Sequence, residues 1–406
     1  MKFYENGDAL TEPMGFFCSG VHCDVKGARE GKLDLGIIYS EKSCNGAGVF
    51  TTNDVQAAPV RYSKNLISES NNTFHAIVAN SGNANACTGE QGDSDAKKMA
   101  SEVARHLNIH SKEVLVCSTG RIGVSLPMSR LTIGIRDACE DIMDGCDGAR
   151  AFQESILTSD TCTKSCSAKI QSSRGDITIG GVVKGAGMIE PNMATMLAFI
   201  TTDADIAGSA LQEILEEAVE NSFNRITIDG DMSTNDCVLL LANGSTGIKI
   251  DHETMAVQRE FKEAVHAVCS CLARKCVTDG EKVTKFVKVR VKGAKDSNSA
   301  LKVARCIANS LLVKSSWYGC DPNWGRIADA AGYAKVGLVF EKLGMHYNET
   351  PVLFNGMPMI ENKAKWKEIV SLDEFSISLD LKMGKAEGEI WSNDLSEEYV
   401  KFNKSE

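Results

Sequence analysis

Thr195 carries a hydroxyl group beside a small residue at the point where an irregular stretch of chain turns into an apolar one. It follows Lys184-Gly185-Ala186-Gly187-Met188-Ile189-Glu190-Pro191-Asn192-Met193-Ala194 and opens the run Met196-Leu197-Ala198-Phe199-Ile200. The glycines and the proline give a tight, irregular connection, and the run after them reads as a strand. A β-branched threonine at the first position of a strand has a stiff hydroxyl, and Ala194 leaves the preceding carbonyl open to approach. Attack by Thr195 on that carbonyl would form an ester, and hydrolysis would leave Thr195 as a new N-terminus. One residue would then hold both a nucleophile and a base, since its free α-amine has a reference pKa of about 7.7–8.0. The Ala194-Thr195 pair alone also fits the ordinary entry to a buried strand, so the neighbouring segments decide.

A second segment suits a developing negative charge. Val114-Leu115-Val116-Cys117-Ser118-Thr119-Gly120-Arg121 is an apolar strand that stops at hydroxyls and a glycine. Gly120 lets backbone approach a ligand and Thr119 adds a side-chain donor, so the pair can form an oxyanion hole or an ordinary turn. Other chemistries are disfavoured. Gly180-Gly181-Val182-Val183-Lys184-Gly185-Ala186-Gly187 lacks the Gly-Lys-Ser/Thr ending of a phosphate loop and the strand-to-helix setting of a dinucleotide loop. Cys269, Cys271 and Cys276 tempt a metal reading, but Phe261, Val265, Val268, Leu272 and Cys276 fall on one face of a helix. Asp229-Gly230-Asp231-Met232-Ser233 opens like a calcium loop, yet Thr234 and Leu240 occupy the positions that need Gly and Glu.

The string Gly187-Met188-Ile189-Glu190-Pro191-Asn192-Met193-Ala194-Thr195-Met196-Leu197 resembles the self-cleavage site of the ornithine acetyltransferase (glutamate N-acetyltransferase) family of the cyclic route to arginine. The resemblance runs nearly end to end, through Thr119-Gly120, Asn224 to Asp236, Asp321-Pro322-Asn323-Trp324-Gly325-Arg326 and the C-terminal Trp391, Asp394, Tyr399 and Asn403. It implies Thr195 as nucleophile, Thr119 and Gly120 for the oxyanion, and Thr158, Lys184, Glu281 and Asn403 for holding substrate. Thr158 sits in Leu157-Thr158-Ser159-Asp160-Thr161, where Ser159 departs from the family's threonine. The family's C-terminal hydroxyl contact falls a few positions after Asn403, and Ser405 is the candidate to replace it. A cation at Lys184 would also keep the threonine amine deprotonated by like-charge repulsion.

The resemblance further implies acetyl transfer from acetylornithine to glutamate without a cofactor, with acetyl-coenzyme A as an optional second donor. Cleavage would give an α chain, 1–194, and a β chain, 195–406, assembled as a heterotetramer of two α and two β. The fold implied is α+β, two mixed β-sheets sandwiched between helices in a self-cleaved, N-terminal-threonine architecture. A threonine-dependent amidase or aminopeptidase of related fold, with water as acceptor, is the rival.

The elements that must position these residues are legible in part. Strand-like runs cover 33–39, 75–79, 114–117, 177–183, 195–201 and 237–242; Val287, Val289, Val291 and Ile377, Leu379, Leu381 alternate with polar residues, as in strands with one wet face. Helical spacing joins Met99, Val103 and Leu107 after the caps Asp93 and Ser94; Leu211, Ile214, Leu215, Ala218 and Val219 after Ser209; and Ala300, Ala304, Ile307, Ala308 and Leu311 after Ser297. Irregularly ordered helices and strands predict layered α and β structure rather than a doubly wound nucleotide fold.

With 406 residues, 43% of them hydrophobic and 24% charged, the chain can bury a full core. Its formal charge of −10 disfavours nucleic acid or an anionic membrane as partner and favours small molecules. No apolar run approaches the roughly 20 residues of a membrane span. Fifteen scattered cysteines, an odd number, suit reduced thiols in the cytoplasm rather than a disulfide framework.

Overall fold

The computed structural model describes residues 1–5, 8–27, 31–69, 73–172, 174–190, 196–251 and 254–404. Ala194, Thr195 and Ser405 lie outside the described residues. Two compact units are built from alternating stretches of chain: Met1–Gly185, Asn192–Asn224 and Met232–Cys276 form one, and Ala186–Pro191, Arg225–Asp231 and Val277–Glu406 the other.

The first unit contains strands β1 (Lys2–Tyr4), β2 (Phe16–Val21), β3 (Leu35–Phe50), β4 (Thr73–Asn80), β5 (Val114–Ser118), β6 (Lys164–Ser172), β7 (Gly175–Lys184), β8 (Leu197–Thr202), β9 (Asp205–Ile206), β10 (Cys237–Ala242) and β11 (Lys249–Ile250). Its helices are α1 (Ala58–Ser68), α2 (Gly89–Leu107), α3 (Met128–Glu140), α4 (Gly145–Ser155), α5 (Gly208–Glu220) and α6 (Met255–Thr278). Among the described residues, nine strands form one mixed sheet in the order β1-β6-β7-β8-β10-β3-β4-β5, with β2 on β3. The β8–β10 and β4–β5 pairs are parallel. The long β3 pairs with β2 over its first part and with β10 over its last, and its register with β4 shifts between Tyr39 and Cys44.

Burial on both faces explains why these strands read as continuous apolar runs rather than alternating ones. Ile37, Ala76, Val78, Val114 and Val116 pack with Met99, Val103, Leu131 and Ile135 of α2 and α3. Their sequence neighbours Ile38, Ile77, Ala79, Leu115 and Cys117 face the opposite way, into a core with Val60, Leu66 and Phe152 of α1 and α4. Each Val, Leu, Ile, Phe or Met among them, fully buried, contributes about 1.5–3 kcal/mol, which makes this sheet a rigid mount for whatever its ends carry.

The second unit contains β12 (Phe286–Ala294), β13 (Gly344–Tyr347), β14 (Thr350–Phe354), β15 (Met357–Pro358), β16 (Glu374–Asp380) and β17 (Ala386–Asn393), with helices α7 (Ser297–Ala308), α8 (Leu311–Tyr318), α9 (Trp324–Gly332), α10 (Lys363–Val370) and α11 (Glu397–Phe402). The strands form a mixed sheet, β15-β14-β13-β16-β12-β17, in which β12 and β16 are parallel. Val287, Val289 and Val291 are buried against Ala300, Val303, Ala304 and Ile307 of α7, while Arg290 and Lys292 are exposed. The α+β class, with mixed sheets and packed helices, is thus observed.

Helix starts differ from those expected. Asp93 and Ser94 lie inside α2, which begins four residues earlier at Gly89. Ala207, not Ser209, precedes α5. Asp296 rather than Ser297 caps α7, because its carboxylate accepts the Ser299 N–H at 2.7 Å, a stronger bond than a serine hydroxyl would make.

Candidate functional site

In the first unit the end of β5 is locked to the turn that follows β4. Ser118 Oγ donates to Asn80 Oδ1 at 2.7 Å, and the Thr119 N–H donates to Asn80 O at 2.9 Å. Asn235 Nδ2 ties the two together by donating to Ala84 O and Ser118 O at 2.6 and 2.9 Å. Gly120 has φ +129°, and a Cβ there would lie 2.4 Å from Gly82 C, so only glycine lets the two turns meet.

Lys184, the last residue of β7, is buried with its ammonium under this turn. Its Nζ donates to Thr119 Oγ1 at 3.1 Å and to Thr158 Oγ1 at 2.7 Å. A hydroxyl that accepts from an ammonium keeps its own proton to donate. Among the described residues neither threonine hydroxyl donates to anything, and Thr158 is exposed. Two polarised O–H donors and an ammonium therefore converge on one place, a suitable arrangement for an oxygen that gains negative charge.

The charge of Lys184 is balanced by Asp160, a residue with no role expected from sequence. Asp160 Oδ1 accepts from Lys164 Nζ and from the Gly185 N–H, both at 2.6 Å, and Oδ2 accepts the Thr158 N–H at 3.1 Å. Burial pushes its carboxyl pKa up, but Lys184, Lys164 and the Gly185 N–H outweigh burial and hold it at about 2. Burial also lowers the Lys184 pKa, Asp160 opposes that shift and the Lys164 charge adds to it.

Asp236 is the second missed residue. Its Oδ1 accepts the Met196 N–H at 3.0 Å, and burial raises its pKa well above the ordinary range against that bond. The Cys237 N–H donates to Met196 O at 3.2 Å, so both sides of Met196 are fixed by the start of β10.

In the second unit Glu281 and Asn403 come together. Asn403 Nδ2 donates to Glu281 Oε2 at 2.8 Å, and the Glu281 N–H donates to Ala186 O at 2.8 Å. A Cβ on Gly187 would stand 2.5 Å from the Glu281 carboxylate carbon, so this glycine makes room for the carboxylate. The Asp321-to-Arg326 motif serves the fold: Asn323 accepts the Arg326 N–H to cap α9, and Arg326 Nη1 donates to Leu312 O at 2.9 Å.

Of the residues expected from sequence, Thr119, Gly120, Thr158 and Lys184 thus gather in one unit, and Glu281 and Asn403 in the other. Among the described residues no group of three or more His, Cys, Asp or Glu side chains could hold a metal ion.

A relative from Thermotoga neapolitana, named arginine biosynthesis bifunctional protein ArgJ, is 45% identical over 396 residues, 96% of this chain and 98% of the relative. The glutamate N-acetyltransferase of Methanocaldococcus jannaschii is 43% identical over 413 residues, covering 99% of each. A solved ornithine acetyltransferase from Mycobacterium tuberculosis, complexed with ornithine, is 34% identical over 47% of this chain and 98% of its own, with a TM-score of 0.43. The relatives at this level of identity make the chain an acyltransferase of arginine biosynthesis. The ArgJ family model matches residues 17–405, and the chain belongs to the ArgJ family.

Proposed function

We propose that the chain cuts itself between Ala194 and Thr195 and then transfers the acetyl group of N2-acetyl-L-ornithine to L-glutamate, giving L-ornithine and N-acetyl-L-glutamate. Fragments 1–194 and 195–406 remain together, as a heterotetramer of two copies of each. The Thr195 hydroxyl attacks the acetyl carbonyl and its proton passes to the freed α-amine of the same residue. The carbonyl oxygen, now an oxyanion, takes hydrogen bonds from the Thr119 hydroxyl and the Gly120 N–H. Collapse breaks the C–N bond, the amine returns the proton to the departing ornithine nitrogen, and an acetyl ester remains on Thr195. The amine of glutamate attacks that ester by the reverse sequence. One amide replaces a similar one, so no ATP or cofactor is needed, and acetyl-coenzyme A can supply the ester as a second donor. Lys184, Thr158, Glu281, Asn403 and Ser405 hold the substrates.

The observation that carries this reading is the Lys184 ammonium, which engages a lone pair on each of Thr119 and Thr158 and leaves both hydroxyl protons for a ligand. Intact mass of denatured protein tests it: two fragments that meet at Ala194 and Thr195 for the wild type, one uncut chain for Thr195→Ala. The cut enzyme should show ping-pong kinetics and form acetylglutamate. An uncut, active wild type sinks the mechanism, and free acetate in place of acetylglutamate would make water the acceptor.

A further inference from the structure

Asp229 is a half-buried carboxylate that the acetyl-transfer scheme leaves unused. It belongs to the short stretch Arg225–Asp231 of the second unit. Its two oxygens face donors on every side. Oδ2 accepts the Met188 N–H at 2.6 Å, and Oδ1 accepts the Ile189 N–H at 2.8 Å and the Asp231 N–H at 3.3 Å. Tyr399 Oη adds a fourth donor, reaching Oδ2 at 3.3 Å. An ionised carboxylate accepts only, so it matches this environment, and no other side chain of its size does.

These bonds link two structures. One is the backbone 186–190, the last described stretch before the expected cut. It bends at Met188, whose φ is +55°, a conformation unfavourable to a non-glycine residue. Two adjacent N–H groups on one carboxylate hold that bend. The same stretch is also fixed by the Ile228 N–H, which donates to Ile189 O at 2.8 Å, and by Glu190, whose Oε2 accepts from Thr227 Oγ1 at 2.7 Å and Asn309 Nδ2 at 2.8 Å. The other structure is α11. Tyr399 O accepts from both the Asn403 N–H, at 3.0 Å, and Asn403 Nδ2, at 3.1 Å, and that same Nδ2 reaches Glu281. The Tyr399 hydroxyl therefore ties Asp229 to the residue that orients the Asn403 amide on Glu281.

We infer that Asp229 is a positioning residue with two dependants: the bent backbone leading to the cut, and the Asn403–Glu281 pair that receives a substrate amine. This rests on the acetyl-transfer reading and adds that self-cleavage and substrate binding share one carboxylate.

Two variants separate the dependants. Asp229→Asn is isosteric but turns an NH2 toward at least one backbone N–H, so one hold on the bend is lost and replaced by donor facing donor. Cleavage of the precursor, followed by intact mass, should slow by about 10-fold or more, the scale expected for a lost charge-assisted bond. Its cleaved fraction should show a KM for acetylornithine raised about 10-fold with kcat little changed. Tyr399→Phe leaves all three backbone bonds to Asp229 in place. It should be cut at the wild-type rate and yet raise KM by about 3-fold, as suits one long, weak hydrogen bond to a carboxylate. A general loss of packing would move kcat and cleavage with KM, so the split is the diagnostic. Wild-type cleavage and KM in Asp229→Asn overturn the proposal while leaving the acetyl-transfer reading intact. A wild type that is neither cut nor able to make acetylglutamate overturns both. If Asp229→Asn does not fold, Tyr399→Phe decides alone: an unchanged KM overturns the proposal.

Discussion

Lys184 and Lys314 are both buried lysines, one at the end of β7 and one within α8, and they are solvated by different chemistry. Lys314 donates to Ser392 Oγ at 3.1 Å and to the Asn393 carbonyl and side-chain oxygens, all neutral acceptors at the end of β17. Burial lowers its pKa to about 7, with the more distant Asp394, Asp229 and Glu190 opposing. Lys184 donates to two threonine hydroxyls and has the Asp160 carboxylate beside it. The acceptors of Lys314 include a backbone carbonyl and an amide oxygen, which have no proton to pass on. Those of Lys184 are hydroxyls that can accept and donate at once. A buried cation marks a candidate site only when its partners have bonding capacity left over.

The comparison is tested most severely at Asp160. Asp160→Asn leaves Lys164 and Lys184 buried without their carboxylate, a kind of change that costs about 3–5 kcal/mol of stability in urea unfolding near pH 7. The acid side follows from the sign of the shift. The folded pKa of about 2 lies below the ordinary 3.8, so the stabilisation is complete above roughly pH 4 and is lost as pH falls through about 2. Asp160 also holds the Lys184 pKa up, so the alkaline limb of kcat/KM should move to lower pH in the variant. A limb that stays put would mean Lys184 needs no charge in turnover.

Next in size is Thr119→Ala, measured on protein confirmed as cut. Its loss should lower kcat about 100- to 1,000-fold with little change in KM, the range for removing one oxyanion donor. The matching deletion beside the other lysine, Ser392→Ala, should leave kcat unchanged. Equal effects from the two would erase the distinction between the two lysines.

The smallest effect concerns Lys314→Met. The wild-type lysine has a folded pKa of about 7 against 10.5, so the unfolded chain binds more protons between those values and stability rises with pH there. From pH 7 to 9 the rise should amount to roughly 2 kcal/mol, and Lys314→Met should flatten it in thermal unfolding followed against pH. An equally steep profile in the variant would assign the rise to other groups.

Sequence made some of this visible and hid the rest for a physical reason. Cys237–Ala242 was read with its exact bounds because six apolar residues between polar ones leave little choice. Thr119 and Gly120 stood out because an apolar strand stopped at them. Asp160, Asp229 and Asp236 did not, since nothing local distinguishes a carboxylate facing solvent from one facing the Gly185, Met188 or Met196 N–H. β3 was seen only over its first part: Glu41, Lys42 and Ser43 interrupt the apolar pattern where the register shifts, although the strand continues to Phe50. The cap of α7 fell on Asp296 rather than Ser297 because capping depends on which acceptor reaches a free N–H, and several candidates stood within a few residues.

The strand order in the first unit gives the proposed cut a kinetic consequence. β8 and β10 come from the chain after residue 194, yet they sit between β7 and β3, which come from before it. Fragment 1–194 alone would be left with β1-β6-β7 and β3-β4-β5 separated by a gap two strands wide. The uncut chain closes that gap as a first-order event, whereas the cut fragments must find each other, and their refolding becomes second order in concentration. Cleavage would therefore act as a ratchet: denatured, cut enzyme should recover activity poorly on dilution, at concentrations from which the Thr195→Ala chain regains its native fold.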